Sequence, residues 1–466
     1  MQNFKIKLDF NNMLTDFVGK KGIDISEIEK IKEKTNAAHV VLTEKRHNMQ
    51  WRDLPYTQDQ VVASILDYAQ KVKGKFEALV IFGIGGSALG PIAVQQALKS
   101  QYYNLNEAYR NGFPKLFVLD NIDPNSMIDL LNMVNLDKTL FSVVSKSGST
   151  SETMAQFMII KDILEKNLGK EKAKQHIVAT TDKENGNLIK IAKTEGYQLF
   201  YIPSGVGGRF SQLCPVGLLP AALCGIDIKT LLAGAAFMDD LCKNEDIFNN
   251  PAYIYAILHY ISMQNGINMS VMMPYADSLK YMSDWYAQLW AESLGKKYDN
   301  NGNIVNIGQT PVKALGATDQ HSQVQLYAEG PFDKIVVFLA VEDFGKSQEI
   351  PKSFADIPSL GFLGGHTLEK LLLAEQKATE FALQKAGKPS MTITLPTVNE
   401  HTIGQLLYFF EVATAYAGQL MNINAFDQPG VEEGKNATYA LFNRPGYEEK
   451  KKELETAIPK NKKYII

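Results

Sequence analysis

The chain has 466 residues, of which 45% are hydrophobic, 21% charged and 10% aromatic, a composition that excludes wholesale disorder and allows two or three sizeable cores without disulfide or metal staples. With 48 basic against 51 acidic residues the formal charge is −3, so no chain-wide pull toward nucleic acid or an anionic membrane is expected. Cys214, Cys224 and Cys242 have no C-x-x-C spacing, which argues against a secreted disulfide framework and a structural zinc site.

Residues 1–75 read as a charged helical extension without a signal-peptide core. Ile23, Ile28 and Ile31, then Val61, Ile65, Leu66 and Ala69, recur at helical spacing. An alternation of short apolar runs and helical stretches follows. Strands are predicted at 78–82, 115–119, 140–144, 176–180 and 198–202, with helices at 88–99, 124–134, 150–165 and 187–194 between them. This order means βαβ units and a parallel sheet covered on both faces, a doubly wound domain over 76–205. Residues 206–265 are predicted to be a helical connection. A second alternation predicts strands at 269–273, 335–341 and 391–395 and helices at 279–294, 368–385 and 402–420, a second α/β domain over 266–425. Residues 426–466 read as C-terminal helices, charged and solvated from Tyr447 onward. The charge-poor stretches near 210–226 and 251–276 are interrupted by polar residues, so no membrane span is expected and the chain reads as soluble and cytoplasmic.

Two strand–helix turns could hold an anion. Gly83-Ile84-Gly85-Gly86-Ser87-Ala88 loosely fits a dinucleotide fingerprint, with Asp120 as the ribose acid, or is a tight turn and nothing more. Ser145-Lys146-Ser147-Gly148-Ser149-Thr150 places hydroxyls and a lysine at the carboxyl end of a parallel strand, where open α/β sheets bind ligands. Ser149 and Glu152 also fit a capping box. The loop lacks a Walker A pattern and suits a phosphate monoester of sugar size.

Further along stand Val206-Gly207-Gly208-Arg209-Phe210-Ser211, where a guanidinium could meet an anion, and Gln288 with Glu292, one helical turn apart. Desolvation of Glu292 by Trp290 and Leu294 would raise its pKa and suit it to proton transfer, or Glu292 is an exposed helix end. Asp319 is a plausible N-cap beside His321. No second histidine stands at metal-ligand spacing, so no metal is expected. Gln428-Pro429-Gly430 turns the chain and places Lys435 on the following helix.

Taken in order, Gly-Ile-Gly-Gly-Ser, Ser-Lys-Ser-Gly-Ser-Thr, Val-Gly-Gly-Arg-Phe-Ser, Glu-Ser-x-Gly-Lys, Thr-Asp-Gln-His-Ser and Asp-Gln-Pro-Gly-Val-Glu resemble the glucose-6-phosphate isomerase (phosphoglucose isomerase) family in its shorter bacterial form, over residues 40–445. The resemblance implies two doubly wound sugar-isomerase (SIS) domains and interconversion of glucose 6-phosphate and fructose 6-phosphate through a cis-enediol(ate), with no cofactor. It implies Glu292 as the base moving a proton between C2 and C1, Arg209 as the stabiliser of the intermediate, and His321 and Lys435 as the ring-opening pair. Ser145, Lys146, Ser147 and Thr150 match the phosphate cradle; Gly86, Ser87, Gln288 and Gln428 match residues lining the sugar. It also implies a homodimer, with His321 supplied across the interface. The segment Asn300–Ala314 is longer than the family pattern, and Gln212 and Cys214 stand where aliphatic or small residues are expected. The competing readings are a catalytically silent sugar-phosphate-binding regulator, which need not retain Glu292, Arg209, His321 and Lys435 together, and a nicotinamide-dependent oxidoreductase using the Gly83 loop.

Overall fold

A computed structural model describes residues 4–466. Five strands, β2 (Ala78–Phe82), β3 (Lys115–Leu119), β4 (Thr139–Val144), β5 (Ile177–Asp182) and β6 (Gln198–Ile202), form an all-parallel sheet in the order β3-β2-β4-β5-β6. β2, β4 and β5 are buried along their whole length. Their alternate residues enter two different cores: Leu79 and Ile81 face the main one, Val80 and Phe82 a second under the helices of the opposite face. This is why these strands read as continuous apolar runs. The chain reverses direction across the sheet between β2 and β4, so the turns after these two strands flank the switch point, where a crevice opens.

The second sheet runs β1-β12-β11-β7-β10. β7 (Met269–Pro274), β10 (Thr310–Lys313), β11 (Lys334–Asp343) and β12 (Ser390–Thr397) are parallel, and β1 (Lys7–Asp9) closes the edge antiparallel to β12. The leading extension is therefore not wholly helical. The first element among the described residues is a three-residue strand, too short to show a period. The stretch expected to be a loop at 300–314 is also structured. β8 (Lys296–Tyr298) and β9 (Ile304–Ile307) pair antiparallel, and β10 adds an edge to β7.

Helices join the sheets. We label four that the site uses: α1 (Ser151–Leu168), α2 (Lys280–Leu294), α3 (Glu400–Leu420) and α4 (Glu432–Leu441). α3 is buried all round from Thr402 to Gly418, as its nearly unbroken apolar sequence requires. It lies close against the helix Ile228–Cys242: a Cβ on Gly404 would overlap the Leu231 carbonyl. Where the two helices meet, Asp239 is fully buried and bonded to Arg46, Arg52, Tyr56 and Tyr408. Among the described residues no helix is long and apolar enough to cross a membrane, and all three cysteines are free and buried.

Candidate active site

The turn after β2 is drawn tight by Ser87 N–H donating to the Ile84 carbonyl (3.2 Å). Gly86 lies against the loop after β6, where a Cβ would overlap the Gly208 carbonyl oxygen. Glycine is needed here for close backbone approach. Asp120, the acid a dinucleotide reading would use, is exposed beyond the edge strand β3 and off the cleft wall.

After β4 the hydroxyls turn toward one another. Ser145 Oγ lies 3.1 Å from Thr150 Oγ1 and accepts from Gly148 N–H at 3.0 Å. Ser147 Oγ accepts from Ser149 Oγ at 2.8 Å. The expected Ser149–Glu152 capping box is absent: Thr150 is the N-cap of α1 and its side chain makes no capping bond. That hydroxyl faces Ser145 instead. The first N–H groups of an eighteen-residue helix are thus left uncapped by Thr150 at a wall of the cleft, an arrangement that favours an anion. Lys146 lines the cleft too, but its ammonium donates to the carbonyls of Ser204 (2.6 Å) and Val206 (3.0 Å), tying the cradle to the loop that carries Arg209.

Arg209 is buried, and every arm of its guanidinium is engaged. Nε donates to Ser293 Oγ (2.9 Å), Nη2 to the carbonyls of Ala425 (2.8 Å) and Asp427 (3.2 Å), and Nη1 to Gln428 Oε1 (3.0 Å). Nη1 also stands 3.0 Å from Glu292 Oε1. Burial pulls the arginine pKa down, and the charges of Glu292 and Asp427 oppose that. The other oxygen of Glu292 accepts from Gln288 Nε2 at 2.9 Å. The Glu292 side chain is 28% exposed and faces the cleft. Trp290 and Leu294 do not surround it. Residues two apart on a helix point to different faces, and Trp290 is buried among Tyr255, His259 and Tyr286.

Gly86, Ser87, the 145–150 cradle, Arg209, Gln288, Glu292, Gln428 and Lys435 all line one cleft of about 740 Å³. Lys435, on α4, is about half exposed and pairs with Glu432 at 2.8 Å. His321 is not on that wall. It is exposed on the short turn Thr318–His321. Asp319 caps no regular helix; it accepts from Leu315 N–H (2.7 Å) and Ser322 Oγ (2.6 Å), and the next helix is N-capped by Gln323.

Sequence reasoning gave no role to Lys296 or Asp427, although both lie inside the motifs quoted. Lys296 Nζ donates to the carbonyls of Glu292 and Ser293, each at 2.9 Å, and lies 3.7 Å from Asp427 Oδ1. Asp182 was also missed. It ends β5 on the cleft wall and accepts from the N–H groups of Glu184 and Asn185, which hold its carboxyl below the usual range. Its position at a parallel strand's carboxyl end was the available signal. Among the described residues no group of three or more His, Cys, Asp or Glu side chains is arranged to hold a metal ion.

The fold and cleft define a class: a doubly wound sugar-isomerase-type protein in which a hydroxyl-rich loop at a helix N-terminus shares one cleft with an arginine-paired carboxylate. The sequence profile of the phosphoglucose isomerase family matches residues 59–458, and the chain belongs to that family. It is 50% identical over 464 residues to a glucose-6-phosphate isomerase of Carboxydothermus hydrogenoformans, a match covering 99% of each chain. A crystal structure of a hypothetical protein from Thermus thermophilus superposes with a TM-score of 0.82 at 34% identity, covering 94% of this chain and 100% of that one. A glucose-6-phosphate isomerase from Chlamydia trachomatis shares the fold, with a TM-score of 0.79 at 22% identity over 94% of this chain and 90% of that one.

Proposed function

We propose that this chain interconverts glucose 6-phosphate and fructose 6-phosphate. The observation that carries the reading is the Glu292–Arg209 pair, 3.0 Å apart, in one cleft with the Ser145–Thr150 cradle. The closed sugar has no carbonyl, so the ring opens first. Lys435 and His321 are assigned to that step, one group donating to the ring oxygen while another accepts the anomeric hydroxyl proton. Glu292 then takes the C2 proton, the electron pair moves into a C1–C2 double bond, and the C1 oxygen becomes the enediolate. Arg209 offers fixed positive charge to that oxygen. The C2 hydroxyl proton passes to the C1 oxygen, Glu292 returns its proton to C1, and a C2 ketone with a C1 hydroxyl results. Binding at the phosphate end supplies orientation at the reacting end.

The active unit is proposed to be a cytoplasmic homodimer in which His321 completes the partner's cleft. Its exposure on a turn away from its own cleft is what supports this. No observation favours the silent regulator. The test is purified protein with fructose 6-phosphate and a chelator, with glucose 6-phosphate read out through a coupling dehydrogenase. Metal-independent turnover is expected. A folded protein that binds the sugar phosphate without turnover would restore the regulator.

A further inference from the structure

We infer that Lys296 is a positioning residue for the proton-transfer step, closing from behind a ring of interactions that holds Glu292 against Arg209 and keeps the site's charge balanced; this rests on the isomerase reading above. Lys296 follows the last turn of α2, and its side chain is only 5% exposed. It does not line the cleft.

Two observations give it this role. The first is mechanical. Helix ends leave carbonyls without partners. Lys296 Nζ satisfies those of Glu292 and Ser293, the residues whose side chains meet Arg209 Nη1 and Nε. Arg209 then reaches the carbonyl of Asp427 (3.2 Å), and the Asp427 carboxylate lies 3.7 Å from Lys296. The ring Glu292–Arg209–Asp427–Lys296 therefore links the end of α2 to the loop after α3. A cation at this end also complements the helix dipole.

The second is charge. Arg209 and Lys296 are two cations; Glu292 and Asp427 are two anions. The four sum to zero in the resting site. Once Glu292 has taken the C2 proton, one positive charge is left over as the enediolate gains its negative one. Without Lys296 the same step would leave the set neutral. Burial and the nearby Arg209 charge push the Lys296 ammonium pKa down, with Asp427 and Glu292 opposing, so these charges are mutually felt. The charged groups around Glu292 are Arg209 from the loop after β6, Lys296 and Asp427 behind it, and Lys435 with Glu432 on α4. Lys146, Glu152 and Asp182 also line the cleft.

The test compares Lys296→Met, Lys296→Arg and Asp427→Asn with the parent enzyme. In Lys296→Met, kcat is expected to fall by about 10- to 100-fold with KM within about threefold, the pattern of an interaction used in the transition state. Loss of a buried cation should move the acid limb of the kcat/KM profile upward, and loss of the Asp427 anion should move it downward. Lys296→Arg should restore the limb. The Glu292 carboxyl is also titrated directly by 13C NMR, assigned by its disappearance in Glu292→Gln. Its midpoint should move upward in Lys296→Met whether or not the protein turns over, which separates this inference from the isomerase reading. A lowered melting temperature with an unmoved Glu292 midpoint would overturn the proposal and leave Lys296 a helix cap.

Discussion

Glu292 has two partners that differ in kind: a cation at one carboxylate oxygen and a neutral amide at the other. The amide fixes the rotamer; in the proposed reaction the cation faces the charge that develops on the sugar oxygen. Glu292→Gln keeps the side chain's length and cannot take a proton. We expect kcat to fall about 10²- to 10⁴-fold, the usual share of a general base, with sugar-phosphate affinity by calorimetry within about threefold. Near-normal turnover would remove Glu292 from the mechanism. Arg209→Lys should also be severe, because one ammonium cannot serve Ser293, Ala425, Asp427, Gln428 and Glu292 at once. The carboxylate was legible as a candidate from its spacing to Gln288. Its surroundings were not, because Trp290 is near in sequence but turned to another face.

At the scale of elements, α3 carries an unusual passenger. Glu411 is fully buried at its middle, and neither carboxyl oxygen has a hydrogen-bond partner among the described residues. Burial raises its pKa well above 4.5, which favours the neutral carboxyl in the folded state. A raised folded value contributes stability fully only below the unfolded value of 4.5; the contribution is lost as pH rises toward the folded value. Glu411→Gln removes that loss. Its melting temperature should exceed the parent's at pH 8, and the fall between pH 5 and 8 should flatten in scanning calorimetry. An unchanged slope would mean the carboxyl does not set it. The cradle teaches a related lesson. Ser149 and Glu152 have capping-box spacing, yet Thr150 stands at the N-cap position of α1, makes no capping bond and turns its hydroxyl to Ser145. Spacing identifies a helix start without saying where each hydroxyl points.

At the scale of the whole molecule, Asp239 ties the N-terminal segment to the central helices through Arg46, Arg52 and Tyr408. Burial pushes its pKa up, but bonds from Arg46 and Tyr408 and the charge of Arg52 outweigh this and hold it at about 2. A depressed value gives stability above the unfolded value of 3.8 that is lost as pH falls toward about 2. Asp239→Asn breaks a buried charge network, and urea unfolding at pH 7 should show a cost of about 3–5 kcal/mol. The deficit should narrow below pH 3.8, where the carboxyl of the unfolded chain protonates while the folded one, held at about 2, remains charged. An equal deficit at pH 7 and pH 3 would exclude its charge as the source. The proposed dimer is tested at the same scale. Glu292→Gln and His321→Ala subunits, each inactive alone, are mixed and reassociated at equal amounts. If His321 serves the neighbouring cleft, half the dimers are mixed and each holds one intact site, so about a quarter of parent activity should return. No recovery, with exchange verified by mass, would place both residues in one subunit's site.

The amino-acid sequence by itself determined the first sheet almost to the residue, because β2 to β6 are runs separated by amphipathic helices, and such periodicity is a local property. It also placed the glycine and hydroxyl loops at strand ends, and motif order carried the family. The three-residue β1, the strands β8 to β10, and the packing of Gly86 on Gly208 were decided by the tertiary structure. Strands this short have no period to read, and for β1 the pairing also depends on a neighbour hundreds of residues away, Lys7 pairing with Thr394. The same holds for the site's finest feature. Arg209, Glu292, Lys296 and Asp427 are separate charges along the chain; only the meeting of α2 with the loops after β6 and α3 brings them into one balanced ring.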